Sequence, residues 1–247
     1  MLNAAWIIAA ALTLQSGPSA PASSSTTWTD DRPITQMAQN LKHDVAALPR
    51  PETFAIVAAG MGGALATHQA DDKASDWARR SGDWSYTRLG GALGDVWMQG
   101  GLAVTAYAIG KVNRSPKTVH IAGDLIRAQM LNGVLTTGIK VAAGRTRPTG
   151  ASRSFPSGHT SATFASAAVL ADHFGWKVGL PTYAVAGFVG YTRVRNNQHW
   201  LSDVAFGSAL GILAGRTVTA GHHGTAFTVM PTVTKHGAGL LVVKNFR

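Results

Sequence analysis

Three groups of residues in the middle of the chain have side chains suited to binding a phosphate and attacking it. Written as spacings, they are K-x6-R-P from Lys140, P-S-G-H from Pro156, and R-x5-H-x3-D from Arg193. Hydrolysis of a phosphate ester needs cations around the phosphoryl oxygens, a nucleophile in line with the leaving group, and an acid that protonates that group. The three groups supply a candidate for each requirement.

The first group and the start of the third provide cations. Lys140 and Arg147 lie seven residues apart, so on a helix they would share a face, although Gly144 and Pro148 indicate that the second half unwinds into a loop. The planar guanidinium of Arg147 suits bidentate phosphate binding, whereas Lys140 is a mobile point charge. Arg193 adds a third cation to the pocket.

The run from Pro156 to His159 predicts a turn that leads into a helix. Ser157 is expected near the N-cap, and Gly158 lets the backbone approach a ligand closely. The first turn of a helix presents free N–H groups and a positive dipole end, which together favour an anion. We therefore expect a phosphate at Ser157 and Gly158, with His159 beside it as the general acid.

His199 and Asp203 are four residues apart, a spacing that on a helix brings both side chains to one face. A carboxylate that accepts the Nδ1–H of an imidazole fixes the tautomer and leaves Nε2 free as the more nucleophilic nitrogen. His199 can then attack phosphorus to form a phosphohistidine, which water hydrolyses in a second step.

Together these motifs resemble the type 2 phosphatidic acid phosphatase family, whose relatives include bacterial class A acid phosphatases and vanadium-dependent haloperoxidases. The resemblance covers roughly residues 50–220, and its specific part runs from Lys140 to Asp203. It implies an all-α helical bundle and a phosphoric ester hydrolase. Thr192 stands where the family usually has serine, a change that retains the hydroxyl.

The resemblance also assigns roles residue by residue. His199 is similar to the family's nucleophile, Asp203 to its partner and His159 to the acid. The positions that match the phosphate binders are Lys140, Arg147, Ser157, Gly158 and Arg193.

Two other functions use the same features. Vanadate, a phosphate mimic, would fit this pocket with His199 as its axial ligand, giving a haloperoxidase, although such relatives are usually much longer chains. A basic envelope protein that only binds phospholipid is the second alternative, but binding alone does not require a His/Asp pair opposite an acid. A phosphomonoester or a lipid pyrophosphate is the expected substrate, with a lipid favoured.

Composition limits the partners. The chain of 247 residues has 22 Lys and Arg against 12 Asp and Glu, a net charge of +10, so its surface attracts anions. Nucleic acid is not expected, because no five-residue basic run, zinc-finger spacing or aromatic RNA-binding signature is present. The absence of cysteine excludes disulfides and thiolate chemistry.

No metal or cofactor is expected in the mechanism. H-E-x-x-H is absent, and the carboxylates are too scattered for a two-metal phosphatase site. We interpret His222-His223 as a solvated pair, and Asp71, Asp72 and Asp76 as surface and helix-capping charges.

The two ends of the chain differ from its middle. Residues 1–22 read as a signal peptide, with an apolar run at 4–14 and Ala20-Pro21-Ala22 as the cleavage match, so export to the periplasm or the outer face of the inner membrane is expected. An uncleaved anchor and an N-terminal core helix are the alternatives. Residues 23–50 are then a linker and first helix, 51–220 the helical phosphatase domain, and 221–247 a β-hairpin or a tail.

Membrane contact is the open question of organisation. A spanning helix needs about twenty mostly apolar residues, and the best candidate, 96–110, is bounded by Asp95 and Lys111. The pattern favours a soluble or peripheral helical domain over an integral one, and the oligomeric state stays open. We predict helices at 35–47, 53–68, 73–81, 92–111, 119–143, 158–173, 178–192 and 200–219.

Overall fold

The computed structural model describes residues 36–82 and 85–220, together with the backbone of two strands at 225–234 and 237–246. The predicted signal peptide and residues 23–35 of the predicted linker lie outside the described residues. Within the described ranges the structure contains nine helices, α1 to α9. Their bounds are Met37–Ala46, Pro51–His68, Asp71–Arg80, Thr87–Gly94, Val96–Val112, Pro116–Ala143, Gly158–Phe174, Trp176–Arg195 and Leu201–Thr219.

Local sequence signals fix where several of these helices begin and end. Proline occupies the first turn of α2 and of α6, where its missing N–H costs nothing. Ser115 caps α6 by accepting from the N–H of Thr118. At the other end of α6, Gly144 adopts a left-handed conformation with φ of 58°, which stops the helix and releases residues 144–157 as a loop.

One predicted helix, 92–111, is two helices in the structure. Asp95 has an extended conformation and accepts hydrogen bonds from the N–H groups of Trp97 and Met98, so it ends α4 and begins α5. The prediction missed α4 because Gly90, Gly91 and Gly94 obscure its helical pattern. The other predicted helices match observed ones within a few residues.

The core lies where α6, α7 and α9 meet. Ala128 and Leu131 of α6, Ala165 of α7 and Ala214 of α9 are among its fully buried side chains. The bundle confirms the predicted all-α class through the region that carries the motifs.

A row of glycines lets α9 approach α7 closely. Gly207, Gly211 and Gly215 recur every fourth residue, so they lie on one face of α9. A Cβ at these positions would meet backbone oxygens of α7 or of its N-cap at 2.8, 2.2 and 2.7 Å, respectively. This contact seats the start of α9 against the start of α7, where the second and third motifs meet.

The last element is an antiparallel hairpin of β1 (Thr225–Thr234) and β2 (Gly237–Phe246), with Thr225 opposite Phe246 and Thr234 opposite Gly237. The sequence left a β-hairpin or a tail open for residues 221–247. Among the described residues, no helix combines the length and the apolar character needed to cross a bilayer.

Candidate active site

The three motifs meet at the N-terminus of α7. Ser157 is the N-cap residue of this helix and Gly158 its first residue, as the sequence predicted. The loop after α6 carries Arg147, and the segment between α8 and α9 carries His199. Tertiary folding therefore joins groups that are more than forty residues apart in the sequence.

His199 lies before α9 rather than on it, because that helix begins at Leu201 after the N-cap residue Trp200. Its Nδ1 is 3.5 Å from Oδ2 of Asp203, at the outer limit of a hydrogen bond. Both side chains are almost completely buried. The pair therefore meets across the start of a helix, and the i, i+4 helical geometry assumed from the sequence is not the one observed.

Asp203 is held by several donors. The N–H of Trp200 donates to Oδ2 over 2.9 Å, and the hydroxyl of Ser154 donates to the same oxygen. Arg145 donates to Oδ1 over 2.7 Å. Burial alone would raise the pKa of Asp203, but the hydrogen bonds and the Arg145 charge outweigh it and hold that pKa below its usual value. Asp203 is therefore ionised beside His199.

Arg145 and Asp71 belong to this network, and sequence reasoning missed both. Arg145 also donates to Asp71 over 2.8 Å and to the hydroxyl of Ser202 over 2.7 Å. Asp71 accepts in addition from the N–H of Ser202 over 2.9 Å. Asp71 is buried, so its interpretation as a surface charge was wrong. Its partners, Arg145 and Ser202, lie far from it in the sequence, so no local spacing pattern could have predicted these contacts.

The two histidines of the site are both biased toward the neutral form. Burial lowers the pKa of His159 to about 4, and the nearby charge of Arg193 adds to this effect. Burial also lowers the pKa of His199, with further lowering by Lys140 and Arg147, against the opposing effect of Asp203. A neutral imidazole is the form that a nucleophile requires.

His159 must be protonated to act as an acid, and a bound anion would stabilise its protonated form. The cations that lower its pKa would be offset by the negative charge of a phosphate. Asp95, the N-cap residue of α5, already opposes them by raising the pKa of His159. Occupation of the site by an anion and protonation of His159 are therefore coupled.

The three predicted cations surround the same centre. The Nζ of Lys140 donates to the carbonyl of Arg153 over 2.9 Å, and burial, followed by repulsion from Arg147, lowers its pKa to about 8. Arg147 donates to the side chain of Gln198 over 3.1 Å. Arg193 is buried, and its pKa is lowered by burial and by Arg147. The mutual repulsion of these three cations, of which Arg193 is buried and Lys140 and Arg147 are partly buried, would be relieved by binding an anion.

The N-terminus of α7 is the remaining part of the candidate anion site. Ser157 is fully buried, its N–H donates to the carbonyl of Asp203 over 3.0 Å, and its hydroxyl lies 2.9 Å from that of Thr160. The main-chain donor of Ser157 is thus already used to tie α7 to α9. A phosphate would be bound by its hydroxyl and by the first N–H groups of the helix from Gly158 onward.

A cavity of about 200 Å³ opens beside this centre. Its lining includes Lys140, Gly158 and His159 together with Asp95 and Val96. The described side chains around the centre include three cations and two imidazoles, with the carboxylates of Asp203 and Asp95 beside the imidazoles, and the excess of cationic groups suits an oxyanion. The arrangement can hold a phosphoryl group between a neutral imidazole at His199 and an acid at His159.

Comparison with known proteins supports the predicted family resemblance. Residues 122–226 match the model of the PAP2 superfamily, which confirms the predicted resemblance for the segment that carries all three motifs. The chain is 39% identical over 99 residues to the lipid A 1-phosphatase of Porphyromonas gingivalis. That alignment includes 38% of this chain and covers only 22% of the relative's length.

Two solved structures share the fold. The transmembrane PAP2 type phosphatidylglycerolphosphate phosphatase from Bacillus subtilis superposes with a TM-score of 0.53 and 18% identity, covering 75% of this chain and 94% of its own. Aquifex aeolicus LpxE gives a TM-score of 0.53 and 22% identity, covering 61% of this chain and 94% of its own. At these identities the likeness concerns the helical fold.

Proposed function

Starting from the match of residues 122–226 to the PAP2 superfamily, we propose that this chain is a metal-independent phosphatase that hydrolyses lipid phosphates in the cell envelope. The observation that carries the proposal is the meeting of His199, His159 and three cations at the N-terminus of α7. The substrate is a phosphomonoester or a pyrophosphate, and the intermediate is a phosphohistidine.

In the first step, Lys140, Arg147 and Arg193 hold the phosphoryl oxygens. The lone pair of His199 Nε2 attacks phosphorus while the bond from phosphorus to the leaving oxygen breaks. His159 gives its proton to that oxygen, so the alcohol leaves neutral. Asp203, ionised beside Nδ1, stabilises the positive charge that His199 acquires.

In the second step, a water molecule attacks phosphorus and the P–N bond breaks. His159, now neutral, takes a proton from the water, and the electron pair of the broken bond returns to Nε2 of His199. Inorganic phosphate is released and both imidazoles are restored. The phosphoryl group still in the pocket favours this proton transfer, because its negative charge opposes the burial and the cations that lower the pKa of His159.

Apolar residues beside the cavity support a lipid substrate. Val96 lines the cavity. The side chain of the next residue, Trp97, is 84% exposed, so it does not contribute to the core of the bundle. Met98 continues this exposed group, which we call the apolar rim (Val96, Trp97 and Met98). An exposed apolar group at the mouth of a phosphate site fits an acyl chain or a bilayer surface.

The proposal keeps the organisation expected from the sequence. In this proposal residues 51–220 form the phosphatase domain, 23–50 a linker with the first helix, and 221–247 a C-terminal tail or β-hairpin. An exported protein at the periplasmic side of the inner membrane would meet lipid phosphates there, and the net charge of +10 would favour anionic headgroups.

The test is release of inorganic phosphate from a short-chain phosphatidic acid in detergent, with EDTA present. Wild type is compared with His199→Ala and with His43→Ala, whose side chain is exposed on α1. We expect release by the wild type and by His43→Ala, and a loss of at least about a thousandfold in His199→Ala. Release that survives in His199→Ala contradicts the assignment, as does loss of activity in EDTA while the circular dichroism of the folded chain is unchanged.

A further inference from the structure

A second cluster of imidazole and carboxylate groups lies at the far end of α7. His120 and Asp124 are one turn apart on α6, and His173 is near the C-terminus of α7. Since His159 and His173 are fourteen positions apart on one helix, the cluster is about 20 Å from the phosphate-binding end. It has no part in the proposed phosphatase mechanism.

The cluster has the geometry of a three-ligand metal site. Nε2 of His173 is 2.8 Å from Oδ2 of Asp124, and Nε2 of His120 is 3.7 Å from the same oxygen. One ligand atom from each residue lies within 4.8 Å of the others. Tetrahedral zinc, with nitrogen and oxygen at about 2.0–2.2 Å, places its ligand atoms roughly 3.3–3.5 Å apart, between the two observed separations.

The orientations of the two imidazole rings are compatible with both binding one metal ion. The imidazoles of His120 and His173 are 5.7 Å apart between centroids and meet edge to face at 88°. Two imidazoles on one tetrahedral zinc have centroids roughly 5 to 6 Å apart. Small adjustments of side chains that already converge would therefore complete the site.

The charge of the surroundings favours a cation. Asp124 is fully buried and Asp44 nearly so, and both carboxylates form ion pairs with the single guanidinium of Arg127. Arg127 approaches Oδ1 of Asp124 at 3.2 Å, on the oxygen away from the histidines. A divalent cation at the cluster would add a favourable charge partner for the buried carboxylate of Asp124.

We propose that His120 Nε2, His173 Nε2 and Asp124 Oδ2 bind a structural Zn²⁺ ion. Two imidazoles and one carboxylate suit zinc, whereas Mg²⁺ and Ca²⁺ prefer oxygen ligands. Access is available because the side chain of His120 is 12% exposed. The ion would fasten the end of α7 to α6 and, through Arg127 and Asp44, to α1.

The test measures zinc bound by the full chain carrying His222→Gln and His223→Gln, which removes the adjacent histidine pair near the C-terminus. In this background we compare His120→Gln with the matched control His43→Gln, an exposed histidine of α1. We expect one zinc per chain after gel filtration and a rise in thermal midpoint on adding Zn²⁺. His120→Gln should weaken zinc binding by at least about tenfold and abolish the thermal shift, while His43→Gln should change neither.

The visible absorption of bound Co²⁺ tests the coordination of the cluster with its three ligand residues unchanged. Co²⁺ in the same background should give the intense visible absorption of a tetrahedral site, and Zn²⁺ should displace it. The weak spectrum of octahedral Co²⁺, or equal zinc retention by His120→Gln and the control, would overturn the proposal. His199→Gln should retain the zinc in full, so failure of the phosphatase mechanism and failure of this site are separate results.

Discussion

At the scale of residues, the carboxylate of Asp203 organises the proposed catalytic centre. Oδ1 of Asp203 accepts from Arg145, whereas Oδ2 accepts from Ser154 and from the N–H of Trp200 and faces His199. This carboxylate also fills the third position of α9, where it caps the helix. Because so many donors fix it, Asp203 can set the tautomer of His199 without moving.

Arg145 is predicted to be a positioning residue that acts through Asp203. In Arg145→Ala, Asp203 loses a charged partner, so its pKa should rise and its hold on His199 should weaken. We expect kcat to fall by about ten- to a hundredfold with little change in KM. Steady-state kinetics and the pH profile of kcat measure both effects.

The matched control for this variant is Arg80→Ala, which removes an exposed arginine at the end of α3. It should leave kcat and the pH profile unchanged, and Arg145→Lys should restore part of the activity. A rise in KM alone in Arg145→Ala would instead place Arg145 among the phosphate binders.

The lowered pKa of Lys140 predicts that anion binding weakens as the pH rises. Its pKa is lowered to about 8, so it is charged below that pH and loses its charge as the pH rises through it. The affinity for inorganic phosphate as a competitive inhibitor should therefore fall by about tenfold above pH 8. The inhibition constant measured between pH 7 and pH 10 tests this.

Replacement of Lys140 by arginine supplies the comparison, because a guanidinium stays charged over this range. The break near pH 8 should disappear in Lys140→Arg. An unchanged break in that variant would show that another group titrates there.

The residues in the motifs could be predicted from the sequence, but their supports could not. Spacing identified His199 and Asp203 because both belong to one short pattern. Arg145 and Asp71 are 74 positions apart and meet only through tertiary folding. In the sequence Asp71 looks like an ordinary surface carboxylate. Only the structure shows that it is buried and accepts a hydrogen bond from the N–H of Ser202.

At the scale of elements, the contact between α7 and α9 positions the motifs. Gly211→Ala would place a Cβ 2.2 Å from the carbonyl of Ser161, and backbone cannot easily move aside. We expect a loss of about 1–3 kcal/mol in the free energy of unfolding, measured by denaturant titration.

Gly187→Ala is the matched control, since Gly187 is also within a helix but has nothing within 4 Å of the added Cβ. The higher helix propensity of alanine should stabilise the chain by up to about 1 kcal/mol there. Equal effects of the two substitutions would show that the close contact of α7 and α9 does not limit stability.

Helix boundaries show where sequence patterns succeed and fail. The end of α6 at Gly144 and the start of α7 at Gly158 follow from capping chemistry and were predicted. The separate helix α4 was missed, because its glycines are needed for packing. A Cβ at Gly90 would lie 2.2 Å from Oγ1 of Thr192, and one at Gly94 would lie 2.8 Å from Cβ of His159. Such tertiary contacts do not affect local helix propensity, so the sequence pattern could not predict them.

At the scale of the whole molecule, the apolar rim is the surface that we propose contacts the acyl chain of a lipid substrate. Trp97→Ser removes the largest exposed side chain of that rim. We expect KM for long-chain phosphatidic acid in vesicles to rise severalfold while kcat/KM for a small water-soluble ester is unchanged. Equal losses on both substrates would show that Trp97 supports the fold or the phosphate pocket.

Trp176→Ser gives the comparison, because that tryptophan is also strongly exposed but begins α8, at the opposite end of this helix from Arg193. It should leave both substrates unaffected. The all-α class was predicted both from the helix pattern along the chain and from the family resemblance, whereas the distribution of exposed apolar side chains could be seen only in the packed helices.

The central claim is that His199 carries the phosphoryl group during turnover. Rapid acid-free quenching of the reaction with a phosphorus-labelled short-chain phosphatidic acid, followed by peptide mass mapping, tests it directly. The account predicts a base-stable, acid-labile phosphate on the peptide containing His199, absent in His199→Ala. Label on His159 or on a serine, or full turnover with no labelled peptide in a quench that preserves phosphohistidine, would contradict the account.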